Sequence, residues 1–146
     1  MAAADRFTIR VHGRATHGST PHDGIDTVWV AAQVVTALQG VVSRENDARR
    51  PLVVSVGSLH AGNRFNIIAG EAVLEGTVRT LDEATHAAAR ERISRVLDGV
   101  CQAHRATCEL DYEEMNPVTN NPATLAVPAS EALRRGLGAG AVRDAE

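Results

Sequence analysis

At 146 residues the chain has room for one domain with an appended tail, and its 44% hydrophobic content can supply a core. Fifteen basic residues, all arginine, stand against eighteen acidic ones; with a net charge of -3, a pI near 6.1 and no dense basic patch, a nucleic-acid or membrane-surface role is excluded. No apolar run approaches the roughly 18 residues of a bilayer span, and the two cysteines, Cys101 and Cys108, lack zinc-site spacing and read as buried, reduced thiols of a cytoplasmic domain.

Residues 1–5 read as a lead-in or cloning remnant. Over residues 6–14, Phe7, Ile9 and Val11 alternate with Thr8, Arg10 and His12, the pattern of a half-buried strand. A loop rich in histidine, glycine and aspartate follows. Asp26 is placed to cap a helix over residues 27–44, with Val28, Ala31, Ala32, Val35, Leu38 and Val42 at helical spacing. Val30, Val34 and Val41 widen that stripe, so the helix is expected to bury two sides.

Residues 52–59, from Leu52 to Leu59, form a near-continuous β-branched run, and residues 71–80 alternate again; the two read as an antiparallel pair. Asp82 starts a second helix whose face is Ala89, Ile93, Val96, Leu97, Val100 and His104, and Cys108, Leu110 and Tyr112 alternate in a last strand. His12, His60, His86 and His104 read as exposed strand, turn or helix-boundary residues, and Gly18 and Gly24 as suppliers of unusual φ angles.

The order βαββαβ with right-handed crossovers gives an α+β fold, a ferredoxin-like sandwich of four antiparallel strands with both helices on one face. The second strand is then an edge. Residues 52–56 are too apolar for an unprotected edge, and a second copy of the chain is the simplest cover, through this strand and the first helix. A charge at Val54 is expected to break that pairing. Residues 117–146 read as an irregular connector and one more amphipathic helix with nothing to pack on, as if the chain were cut from something larger.

The loop Thr16-His17-Gly18-Ser19-Thr20-Pro21-His22-Asp23-Gly24-Ile25-Asp26 resembles a signature of the metal-dependent aminoacylase and carboxypeptidase superfamily, nearest to amidohydrolases that cleave N-acyl amino acids. Gly62-Asn63-Arg64-Phe65-Asn66-Ile67-Ile68-Ala69 and Gly76-Thr77-Val78-Arg79-Thr80 are similar to two further family elements, with Ala69 where the family usually has proline. The resemblance implies that residues 6–116 are a dimerisation or lid domain and residues 117–146 the connector and start of a returning catalytic segment. It implies a homodimer, an N-acyl amino acid as small-molecule substrate of the full enzyme, and zinc or another divalent metal in a catalytic domain that this chain lacks. It assigns no metal ligand here: Glu113 and Glu114 end a strand without the flanking histidines of a metal cluster.

Under that resemblance His17 is the catalytic residue, donating an imidazole N–H to the substrate carbonyl as negative charge develops on its oxygen. Asn66 and Arg79 are the substrate-binding residues, a neutral amide to orient the scissile group and a planar fork for a carboxylate. His22, Asp23 and Asp26 offer ligand-type side chains but match no closed zinc pattern, and helix capping accounts for Asp26. The chain alone is expected to be inactive. A free-standing ferredoxin-like module that binds a small molecule or a protein is the competing reading.

Overall fold

Strict alternation in the first strand decides which side of the molecule becomes interior. In the computed structural model, which describes residues 1–143, the elements are β1 (Ala3–His12), β2 (Thr16–His17), α1 (Thr27–Gly40), β3 (Leu52–Ala61), β4 (Ile67–Ile68), β5 (Glu71–Thr80), α2 (Glu83–Ala103), β6 (Thr107–Asn116) and α3 (Ala123–Leu137). Ala3, Asp5, Phe7, Ile9 and Val11 are buried on one face of β1, and the residues between them look outward.

Four strands pair antiparallel in the order β3-β5-β1-β6, with α1 and α2 packed on the sheet and on each other. This is the expected βαββαβ sandwich, with β3 at one edge. A short second pairing joins β2 to β4.

The first strand starts at Ala3 rather than residue 6, so Ala3 and Asp5 belong to the sheet and are not a loose lead-in. Asp26 and Asp82 cap α1 and α2 as expected, Asp26 through Oδ1 accepting from the backbone of Val28 and Trp29, and Asp82 from that of Thr85. The buried face of α1 is Thr27, Val30, Ala31, Val34 and Leu38, continued by Val41 in a π-turn, Val41–Glu45. Val28 and Ala32, expected in the core, face solvent, as does Trp29, whose ring meets that of His104 edge-on. The helix therefore buries one side.

Two side-chain expectations are overturned. Cys101 and Cys108 are joined in a disulfide that ties the end of α2 to the start of β6, where reduced thiols were expected. His86 is an interior group, 10% exposed and bonded to Asp5, and not a helix-surface residue.

Gly76 lies opposite Phe7 on β1 and Val56 on β3. A Cβ there would overlap the Phe7 ring and the Ser55 carbonyl. Gly76→Ala is therefore expected to destabilise the fold by about 2 kcal/mol through overpacking, read as a lower midpoint in urea; an unchanged midpoint would show that the Phe7 ring has room to retreat.

In α3, Leu125, Val127, Leu133 and Leu137 are exposed, and none of its described residues is buried. Just before α3, the amine of Met1 donates to the Thr119 carbonyl at 2.7 Å and the Thr119 amide returns to the Met1 carbonyl at 3.1 Å.

Candidate functional site

The histidine loop is built from backbone pairings. Gly13 N–H donates to the Gly70 carbonyl at 2.9 Å, and Arg14 and Ile25 exchange both of their backbone hydrogen bonds. Buried Thr27 anchors the far end of the loop, its hydroxyl donating to the Ala69 carbonyl at 3.0 Å. These bonds pin the loop between β1, α1 and β4, so it is held at both ends.

Gly18 and Gly24 serve closeness and not left-handed backbone, for neither has positive φ. Gly18 N–H donates to the Asn66 carbonyl at 2.7 Å, and a Cβ on Gly18 would sit 3.0 Å from that oxygen. A Cβ on Gly24 would lie 2.6 Å from Thr16 Cγ2 and 2.8 Å from the Arg14 carbonyl. Both glycines let two chain segments touch.

At the tip, His17 is exposed and pairs with Ile67 in the β2–β4 ladder. Its carbonyl accepts from Thr20 N–H at 2.9 Å and from the Thr20 hydroxyl at 3.3 Å. Its ring Nδ1 accepts from Ser19 N–H at 3.2 Å and lies 2.7 Å from Ser19 Oγ. Ser19 is a contact that composition and motif did not single out; the signal was a hydroxyl residue two positions after the histidine in a turn. Asn66 is the next backbone neighbour through the Gly18 bond, and it is exposed without a positive φ. His17 and Asn66 thus stand together.

Arg79 does not join them. It sits near the opposite end of β5, eight residues beyond Glu71, which is roughly 26 Å at about 3.3 Å per residue. Its Nη1 donates to the Thr77 hydroxyl, to the Val78 carbonyl at 2.9 Å and to the Asp5 carbonyl at 3.4 Å. One protomer therefore holds the proposed substrate residues at two ends of its sheet.

Phe65, beside Asn66, is fully exposed and borders a hollow of about 560 Å³ with Asp26, Val28, Gly62, Asn63 and Arg64. His22 and Asp23 are exposed, their nearest charged atoms 3.7 Å apart. Among the described residues no three His, Cys, Asp or Glu side chains converge to hold a metal.

A polar cluster away from the loop escaped the sequence reading. The Asp5 carboxylate, 1% exposed, accepts from Tyr112 Oη at 2.6 Å and lies 2.9 and 3.1 Å from His86 Nε2. Burial, then the hydrogen bond to Asp5 and the charge of Asp5, push the Tyr112 phenol well above its ordinary range. The cluster clamps β1 to α2 and β6 near the start of β1, whereas His17 follows its end.

Residues 3–105 match the family described as "Peptidase dimerisation domain". The N-acyl-L-amino acid amidohydrolase of Geobacillus stearothermophilus is 43% identical over 121 residues, 82% of this chain and 33% of that protein. Thermostable carboxypeptidase 2 of Saccharolobus solfataricus is 39% identical over 124 residues, 84% of this chain and 32% of that protein. Among solved structures, the Bacillus subtilis YXEP protein, a dinuclear metal binding peptidase from the M20 family, superposes with a TM-score of 0.72 at 31% identity, covering 92% of this chain and 32% of that one. The chain spans about a third of the length of the curated relatives it matches.

Proposed function

The chain belongs to the peptidase dimerisation domain family, and from that premise we propose that it pairs two subunits of a metal-dependent amidohydrolase and completes their active sites. The substrate class is N-acyl amino acids or small peptides, and residues 6–116 are the pairing and lid unit, extended by Ala3 to Asp5 of β1. Residues 117–146, of which the last three lie outside the described residues, are the connector and the start of the returning catalytic segment. The metal, zinc or another divalent ion, would be held by residues outside this chain, which alone would be inactive.

One observation carries the reading: His17 is an exposed imidazole held by backbone bonds on both sides, paired only locally and outside any metal cluster. A ring N–H held at such a tip suits donation to an amide carbonyl as it gains negative charge. Asn66, in the turn just before β4, would orient the scissile group, and Arg79 would take a substrate carboxylate.

The separation of Arg79 from His17 supports a dimeric site. In β3, Val53 is level with Arg79 and Ala61 with Ala72. If two β3 edges pair antiparallel about a two-fold axis, the Ala61 end of one copy, with its Asn66 and His17, comes to the Val53 end of the other, where Arg79 lies. The exposed flank of α1 that carries Val28 and Ala32 would be covered in the same contact. The edge carries a bulge between Val56 and Ser58 but leaves residues 52–56 free to pair.

Val54 is 7% exposed and faces the core, so a charge there would unfold the domain and test nothing about pairing. Val53, half-exposed on the outer face, is the better probe. Val53→Asp is expected to set a carboxylate against the partner's strand at each end of the contact and weaken the dimer about 30-fold, some 2 kcal/mol for the two together. Analytical ultracentrifugation over a concentration series reads this, and an unshifted dimer constant would remove β3 from the interface.

No helix among the described residues is long and apolar enough to cross a membrane. A cytoplasmic setting is the part of the proposal that the Cys101–Cys108 disulfide speaks against, because such bonds persist mainly in oxidising compartments. The coding sequence flanking this chain separates the proposal from a free-standing ferredoxin-like module: a metal-ligand cluster encoded upstream supports the hydrolase.

A further inference from the structure

We propose that Ser19 is a positioning residue that holds His17 as the neutral Nε2–H tautomer, so that the ring works as a fixed hydrogen-bond donor. The proposal rests on the role given to His17 above and adds how that role is set.

A backbone amide can only donate. Ser19 N–H points at His17 Nδ1 from 3.2 Å, so Nδ1 must present its lone pair there. Ser19 Oγ, 2.7 Å from the same nitrogen, can turn its hydrogen toward it as a second donor. A proton on Nδ1 would instead meet the amide hydrogen head-on. With Nδ1 accepting, the single ring proton of neutral imidazole resides on Nε2, the nitrogen on the side away from Ser19.

The loop explains why this contact is stable. Thr20 closes the turn by donating twice to the His17 carbonyl, and its hydroxyl lies 3.1 Å from that of Thr16. Gly18, between the two partners, is fixed to Asn66. Ser19 thus cannot swing away without breaking the turn. The same geometry argues against His17 as a metal ligand through Nε2, since a ligating histidine donates its other ring N–H to an orienting acceptor, and here that nitrogen faces donors.

Nitrogen-15 NMR of histidine-labelled chain distinguishes the two tautomers by their ring-nitrogen shifts and couplings. The expected result at a pH where His17 is neutral is a protonated Nε2 and an unprotonated Nδ1. Ser19→Ala keeps the amide donor, so the Nε2–H form is expected to persist; with the hydroxyl contact to Nδ1 gone the ring is held less firmly, and kcat of the parent enzyme is expected to fall about fivefold, with KM within about twofold and recovery in Ser19→Thr. A protonated Nδ1 in the unaltered chain overturns the proposal, as does an unchanged kcat in Ser19→Ala. Should the Nε2–H form be found while His17→Ala leaves turnover intact, the tautomer assignment stands and the catalytic role of His17 fails, so the two ideas are separable.

Discussion

Replacing His17 with alanine in the enzyme that carries this domain is expected to lower kcat by about 100- to 1000-fold, the usual loss when one donor to a developing oxyanion is deleted. That corresponds to roughly 3–4 kcal/mol of transition-state stabilisation. KM is expected to move far less, because a donor tuned to the charged oxygen contributes little to the neutral ground-state carbonyl. Bound metal should be unchanged, since no ligand cluster among the described residues includes His17. Steady-state kinetics and elemental analysis of the same preparation settle the matter. Parent-like turnover would remove the oxyanion role, and metal loss in step with activity would make His17 a ligand.

Asp5→Ala is expected to cost the fold about 3 kcal/mol. The carboxylate is buried and serves two elements at once, accepting from Tyr112 on β6 and bonding His86 on α2. Its removal strands a phenol O–H and an imidazole inside the protein, and the loss is mostly that of leaving them unpaired. A chain of this size should lose roughly 10 °C in Tm. Asp5→Asn, which keeps one acceptor oxygen, should lose less.

The same cluster makes stability depend on alkaline pH. Burial, followed by the bond to Asp5 and its charge, raises the folded-state Tyr112 pKa above the unfolded value near 10. Above pH ~10 the unfolded chain releases the phenol proton while the folded chain retains it, so the unfolded state binds fewer protons and stability falls as pH rises. Below pH ~10 both states hold the proton and the contribution is fully present. Urea midpoints measured at pH 8, 10 and 11 should decline only over the upper interval, and the decline should be shallower in Asp5→Ala. A flat profile to pH 11 would sink this account.

Most of the fold was legible because alternation and capping are local signals. Phe7, Ile9 and Val11 announced their strand, residues 71–80 were bounded as observed, and Asp26 and Asp82 marked both helix starts. The first helix misled because apolar residues cover more than one side of it. Val28, Ala32 and Val35 fit helical spacing as well as Val30 and Val34 do, and only the docked sheet chooses between the two stripes. Asp5 and His86 are 81 positions apart, and no spacing rule links them. Likewise His17 and Asn66 were recognised by motif, but a linear motif could not say that Arg79 belongs to the far end of β5.

The paired hydrogen bonds between Met1 and Thr119 bring the polypeptide in and out of the sandwich at one corner. A domain with neighbouring ends can be spliced into a host chain as a cassette, leaving the host's own core undisturbed. Two chain segments that leave from one corner give the body they carry a single line to turn about. The loop tip that carries the imidazole would then travel with the whole sandwich toward or away from a reaction centre, so that alignment becomes a rigid-body movement instead of a local rearrangement.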